Sequence, residues 1–167
     1  GATSASARIA LTRGTMARLG VRGDITRLYF KDDIAGTQSP RRNLGAFSHM
    51  LGLTQQVGAS GSVYASFSSA FRVPTLHQLY DQRPFFFPPF GTLVFSNSSL
   101  DPQRSLNIEV GGRWESSHAG SAQISLYSTR VRQEIDFDLS TFRYANLQRS
   151  WHRGIEVGFE QPVGTTL

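Results

Sequence analysis

The sequence predicts an all-β chain that forms an antiparallel meander of about seven long strands. Apolar and polar residues alternate with a period of two in segment after segment, and clusters of Gly, Ser, Asn, Asp and Pro separate these segments. No stretch approaches the roughly 20 consecutive apolar residues that a membrane-spanning helix needs. If the chain crosses a bilayer, it must therefore do so with strands.

The clearest predicted strand covers residues 104–115. Leu106, Ile108 and Val110 fall on one face, whereas Asn107 and Glu109 fall on the other. Similar alternation predicts further strands at 62–73 and 145–160, and weaker segments at 5–11, 17–26 and 47–57. Most of these segments carry one apolar and one polar face.

The remaining segment, residues 121–137, changes phase along its length. Ile124 and Leu126 have one parity, whereas Val131 and Ile135 have the other. We expect either a β-bulge near Tyr127 or a strand end that leaves the membrane.

The connections between predicted strands alternate in length. Short turn signals lie at 13–14, 58–61 and 116–120, and long polar or Pro-rich loops lie at 31–43 and 74–103. Short turns on one side and long loops on the other are typical of bacterial outer-membrane barrels.

Two architectures fit this alternation. In a transmembrane barrel the apolar face meets lipid, whereas in a soluble all-β structural or adhesion module it is buried between two sheets. A tilted strand needs about nine to eleven residues to cross a bilayer, and several segments reach that length, which favours the barrel. The soluble module instead predicts that Ile108, Trp114, Val157 and Phe159 are buried.

Charge and composition exclude several functional classes. The net charge is +5, but the arginines are dispersed along the whole sequence without a cluster, and Lys31 is the only lysine. We therefore interpret them as solvated or lumen-facing and expect no nucleic-acid partner. The sequence has no cysteine, so no disulfide or thiolate metal site can form. No Gly-x-Ser-x-Gly motif or Gly-rich phosphate loop is present.

The four histidines lack metal-ligand spacing, and Asp136 and Asp138 lack the residues that complete a calcium loop. We therefore predict no catalytic residue, no metal site and no cofactor.

Four blocks, in one order, resemble the TonB-dependent receptors of bacterial outer membranes. Residues 63–80 contain the aromatic-Arg-x-Pro-Thr motif that ends a strand, and residues 97–113 are similar to Asn-x-x-Leu-x-Pro-Glu with the strand after it. Residues 124–137 resemble the next strand, and residues 144–159 resemble the Tyr-x-Asn…Arg-Gly-x-Glu-x-Gly strand. Gln103 stands where the family usually has Glu.

The motif positions, which we expect to be mainly structural, are Phe71, Arg72, Pro74, Asn97, Leu100, Pro102, Glu109, Gly111, Asn146, Arg153, Gly154, Glu156 and Gly158. The simplest roles are that Pro74 ends the β ladder and that Arg72 pairs with a carboxylate in the lumen.

The resemblance is firm for residues 61–160 and implies that residues 1–167 are part of the receptor's β-barrel. In this family a barrel of about 22 strands is closed by an N-terminal plug. Such a receptor lies in outer-membrane lipid and imports a scarce extracellular ligand, such as a ferric siderophore, with energy from TonB. We expect this chain to be a fragment that contains neither the plug nor the segment that contacts TonB.

The long loop carries a dense aromatic group that is a candidate ligand site. The rings could hold an aromatic or chelated ligand by stacking and cation–π contact, or could instead pack the loop onto itself. The candidate residues are Arg83, Phe85, Phe86, Phe87 and Phe90.

Overall fold

The computed structural model describes residues 1–32, 37–38, 41–116 and 120–161. One antiparallel sheet of seven long strands contains most of the chain. Its strands are β1 (Ala2–Ala10), β2 (Thr15–Leu28), β5 (Arg42–Val57), β6 (Gly61–Arg72), β9 (Gln103–Ser116), β10 (Gly120–Asp138) and β11 (Arg143–Glu160). The predicted meander is confirmed, because each long strand pairs with the next long strand along the chain.

The remaining elements lie in the connections. They are β3 (Lys31–Asp32), β4 (Thr37–Gln38), helix α1 (Leu76–Tyr80), β7 (Phe85–Phe87) and β8 (Gly91–Leu93). Two small hairpins, β3–β4 and β7–β8, thus lie in the two long loops. Residues 117–119 of the short turn and parts of the 31–43 loop fall outside the described residues.

The apolar face of the sheet is exposed, and this excludes a sandwich. The register aligns Val110 with Leu126, and Leu126 with Ile155, so these side chains share a face. Val157 on that face is 75% exposed and Phe159 is 67% exposed, although the soluble module required both to be buried. The soluble-module prediction is therefore wrong for this sheet, and the exposed apolar surface is typical of a barrel wall that faces lipid.

On the opposite, polar face, tyrosine rings lie across glycines of neighbouring strands. A Cβ atom placed on Gly111 would lie 2.7 Å from Tyr64 Cζ, and one on Gly154 would lie 2.7 Å from Tyr127 Cζ. The Tyr64 hydroxyl donates to Glu109 Oε1 at 2.7 Å. Glycine at these positions leaves the space that the rings occupy.

β10 keeps one register with β11 along its length, since Arg132 lies opposite Arg149 and Glu134 lies opposite Leu147. Tyr127 pairs regularly with Glu109 on one side and Gly154 on the other, so the prediction of a bulge there is wrong. Instead Gln133 has a φ of 53°, in the left-handed region, and β9 pairing ends at Arg132. β10 continues alone with β11 beyond this point, because β9 begins only at Gln103.

The largest buried cluster among the described residues lies beneath the long loop. Leu79 and Leu100 are 0% exposed, and they pack with Tyr80 and Ile135. Leu28, Phe30 and Tyr144 pack against this cluster from the side. The loop is thus fixed to the sheet by its own small apolar core.

Candidate functional site

The candidate site begins where β6 ends and the long loop leaves the sheet. Arg72 donates from Nη2 to the Ile135 carbonyl at 2.9 Å, so it pairs with the backbone and not with the lumen carboxylate that we predicted. Gln103 Oε1 accepts from the Ile135 amide at 3.2 Å. The two side chains satisfy the β10 backbone where β9 no longer reaches it.

Helix α1 is set by a capping box that follows Pro74. The Thr75 hydroxyl accepts from the Gln78 amide at 3.2 Å, and the Gln78 side chain accepts from the Thr75 amide at 3.0 Å. These bonds satisfy amides that the first turn leaves without partners. The short helix can then bury Leu79 and Tyr80, and the Tyr80 ring stacks on Phe30 at 5.1 Å.

An ionic group follows directly after α1. Arg83 donates to both carboxylate oxygens of Asp81, with Nη2 to Oδ2 at 2.6 Å and Nε to Oδ1 at 2.9 Å. His77 Nε2 lies 2.8 Å from the same carboxylate. The hydrogen bonds from Arg83 hold the pKa of Asp81 well below its usual range. Arg83 is thus held in an ion pair, while its side chain remains 80% exposed.

Asparagine side chains fasten the far end of the loop. Asn97 Nδ2 donates to the Tyr144 carbonyl at 2.9 Å, and the Asn97 amide donates to the Gln78 carbonyl at 2.8 Å. Asn146 on β11 bonds to the backbone of Asp101 in both directions. The loop therefore returns to the sheet beside α1 and β11.

Above this base, phenylalanine rings connect the loop to the β10–β11 hairpin. Phe85 lies 5.5 Å from Phe95 between ring centroids, and Phe95 meets Phe137 edge to face at 5.2 Å. Phe137 in turn meets Tyr144 edge to face at 5.7 Å. Such offset and edge-on contacts are the favoured geometries for aromatic pairs.

A second series of rings reaches the tip of the hairpin. Phe87 stacks near Phe90 at 6.0 Å, and Phe90 lies 4.9 Å from Phe142. Phe142 has a φ of 51°, an uncommon value for a residue with a bulky side chain. We call the combined set the aromatic network, and its members are Phe85, Phe87, Phe90, Phe95, Phe137, Phe142 and Tyr144.

The structure brings three predicted ligand residues into this network and leaves two outside it. Phe85, Phe87 and Phe90 contact other rings while each remains more than 40% exposed. Phe86 is 70% exposed and lies opposite Thr92 in the small hairpin. Sequence reasoning missed Phe95, Phe137, Phe142 and Tyr144, because they lie outside the dense aromatic run.

The other motif residues lie along the strands or at the loop ends. Gly111 and Gly154 accommodate tyrosine rings, Gly158 lies under Gln123, and Glu109 accepts from Tyr64. Arg153 lies 5.0 Å over the Trp151 ring on the apolar face. Phe71 pairs with Arg104, Glu156 pairs with Ser125, and Pro102 is half-buried.

Within the described ranges, no group of three or more His, Cys, Asp or Glu side chains is arranged to hold a metal ion. No helix in the described part of the chain is long and apolar enough to span a membrane.

Comparison with known proteins places this architecture in a family. The family model described as TonB dependent receptor-like, beta-barrel matches residues 3–165. No curated protein matches the chain significantly.

Solved structures of outer-membrane receptors share the fold. The siderophore receptor PirA from Pseudomonas aeruginosa is 19% identical with a TM-score of 0.74, and the match covers 98% of this chain and 31% of PirA. The Serratia marcescens hemophore receptor HasR, in complex with HasA and heme, is 18% identical with a TM-score of 0.71, covering 97% of this chain and 31% of HasR. The copper transporter OprC is 15% identical with a TM-score of 0.71, covering 98% of this chain and 26% of OprC.

The chain thus spans about a third or less of each of these receptors, and its seven strands form an open part of a barrel. Proteins of this kind are transporters of the Gram-negative outer membrane and not enzymes. The chain belongs to the TonB-dependent receptor family and forms part of its outer-membrane β-barrel.

Proposed function

We propose that this chain supplies barrel wall and a ligand-contacting outer loop to a receptor that imports a scarce metal chelate, most simply a ferric siderophore. The observation that carries the proposal is the aromatic network, which is partly exposed at the end of the sheet that bears the long loops. Long loops lie on the extracellular side of such barrels, where a ligand arrives first. In the whole receptor, TonB would supply the energy through a segment other than this chain.

The exposed rings favour a ligand with a flat or apolar surface. Phe86 and Phe90 present faces or edges to solvent, and aromatic rings stack on other π systems with a useful free energy at low entropic cost. A siderophore or another organic chelate offers such a surface around its metal. The three similar receptors are named for a siderophore, for a hemophore with heme and for copper, so the chelate needs its own test.

The test measures the binding affinity and the uptake of radiolabelled ferric siderophore in cells that express the receptor containing this chain. We expect Phe86→Ala and Phe90→Ala each to weaken ligand binding by about tenfold, since one ring contact of about 1 kcal/mol or slightly more is lost. Phe159→Ala is the matched control, because Phe159 is 67% exposed but lies on β11 near the short turns. Unchanged affinity in both loop variants would overturn the proposed role of the rings.

Ligand class is separated by parallel assays with heme and with copper in the same cells. Binding of the ferric siderophore alone supports the proposal. Binding of heme or copper, but not of any ferric siderophore, would assign the receptor to a different ligand.

A further inference from the structure

A second site lies on the lipid-facing surface, and it consists of arginines instead of aromatic rings. The strand register places Arg104 directly opposite Arg132, and Arg132 directly opposite Arg149. These three residues have the same strand parity as Ile108, Leu126 and Ile155, so they continue the apolar face of the sheet. The scattered arginines of the sequence thus come together on the face that we did not expect.

Two more arginines extend this row around a tryptophan. Arg130 pairs with Trp151, and its Cζ atom lies 5.5 Å from the ring centroid, whereas Arg153 Cζ lies 5.0 Å from the same ring. Both guanidinium groups therefore lie within 5.5 Å of the centre of one indole ring. We call the set of Arg104, Arg130, Arg132, Arg149 and Arg153 the arginine patch.

The arginine patch has no internal counterion. In the described part of the chain, no carboxylate forms an ion pair with any of its members, and none of them donates a side-chain hydrogen bond. The Nε atom of Arg130 is buried and has no hydrogen-bond partner. Like charges directly opposite each other on adjacent strands are destabilising, so an anion that bridges them would stabilise this surface.

The position of the patch selects the kind of anion. On β11 the outward residues change from Phe159, Val157 and Ile155 to Arg153, Trp151 and Arg149 as the strand is followed back toward the β10–β11 hairpin. The patch therefore begins where the unbroken run of outward apolar residues on β11 ends, and Leu147 lies beyond it. Tryptophan is enriched at this boundary in membrane proteins, and arginine there reaches the headgroups of the lipids.

We propose that the arginine patch binds the phosphate groups of an anionic lipid in the outer leaflet. The guanidinium groups form bidentate, charge-assisted hydrogen bonds with phosphate, while Ile108, Leu126 and Ile155 contact the acyl chains of the same lipid. The patch lies toward the loop-bearing end of the sheet, which is the extracellular end of an outer-membrane barrel. This proposal is independent of the transported ligand.

The test uses the receptor that contains this chain, purified in a neutral detergent and stripped of lipid. Lipid A, a glycolipid with two phosphates, is titrated in, and the bound molecules are counted by native mass spectrometry. We expect the triple variant R130Q/R149Q/R153Q to bind about 100-fold more weakly, from roughly fivefold for each arginine near an anionic lipid surface. The matched control R8Q/R18Q/R113Q removes the same charge from the polar face and should bind like the wild type.

A lysine variant and a dephosphorylated lipid provide two further tests of the arginine patch. The variant R130K/R149K/R153K retains the charge but loses the bidentate geometry, so it should bind more tightly than the glutamine variant and more weakly than the wild type. Equal binding by the glutamine variant and the wild type, or equal binding of dephosphorylated lipid A, would overturn the proposal. Displacement of lipid A by inorganic phosphate at a similar concentration would show a site for free anions and would also overturn it.

Discussion

Asn146 and Asp101 form a reciprocal pair of hydrogen bonds that joins the end of the long loop to β11. The Asp101 amide donates to Asn146 Oδ1 at 2.8 Å, and Asn146 Nδ2 donates back to the Asp101 carbonyl at 3.0 Å. The same Nδ2 also donates to the Gln133 carbonyl at 2.9 Å. One amide side chain thus connects the loop, β11 and the irregular position in β10.

Asn146→Asp is expected to loosen the loop, because a carboxylate cannot donate to the two carbonyls. The loss of two hydrogen bonds corresponds to about 1–3 kcal/mol of local stability. Hydrogen exchange at the Asp101 amide measures this change. Asn43→Asp on β5 is the control, since Asn43 is exposed, and equal exchange in the two variants would contradict the assigned role.

Gly111→Ala is expected to destabilise the sheet by about 1–3 kcal/mol through overpacking. The new methyl group would lie 2.6 Å from the Ile124 carbonyl oxygen and 2.7 Å from the Tyr64 ring. The neighbouring Gly112 faces the other side, where a Cβ atom meets nothing closer than 3.7 Å. Urea unfolding of the receptor in detergent compares the two variants, and Gly112→Ala should be nearly neutral.

Leu100→Ala is expected to open the loop base, because Leu100 is 0% exposed and packs on Leu79 in the buried cluster. The transfer and cavity costs together amount to about 2–5 kcal/mol. Hydrogen exchange at the Leu79 amide, which donates to the Thr75 carbonyl, reports the local opening. Leu139→Ala provides a control at an exposed hairpin position, and similar exchange in both variants would argue against the cluster as the support of the loop.

Asp81→Asn is expected to destabilise the segment after α1 at neutral pH, by removing the acceptor of the Arg83 bonds. The pKa of Asp81 is lowered in the folded loop, so its contribution is present above the ordinary aspartate value of about 4. That contribution is lost as the pH falls through the lowered value. Exchange at the Asp81 amide, corrected for its intrinsic pH dependence, should therefore differ between the two proteins at pH 7 and converge in strong acid.

Strand alternation was sufficient to predict the meander and the apolar face. The period-two alternation is a local property of each strand. Ile108 and Val110 therefore show it in the sequence alone, before any tertiary contact is known. The point at which β10 loses its β9 partner was not predictable, since it depends on where β9 begins. The exposure of the apolar residues in the structure, such as Val157 and Phe159, was needed to distinguish a barrel from a soluble sandwich.

The loop was predicted only in part, because its partners are distant in sequence. The aromatic run at 85–90 was visible, but Phe137 and Phe142 join it only through the β10–β11 hairpin. The arginine patch was missed for the same reason. Its members are separated along the chain and become neighbours only through the strand register.

The buried cluster beneath the loop also bears on the entropy of ligand binding. Ordering a flexible residue costs roughly 1–2 kcal/mol of backbone entropy, which a ligand must offset when it closes a disordered loop. Here α1 and the segment around Leu100 are already ordered by packing and hydrogen bonds. A ligand that binds Phe86 and Phe90 therefore needs to order only the β7–β8 hairpin, so less of its contact energy is offset by the cost of ordering the loop.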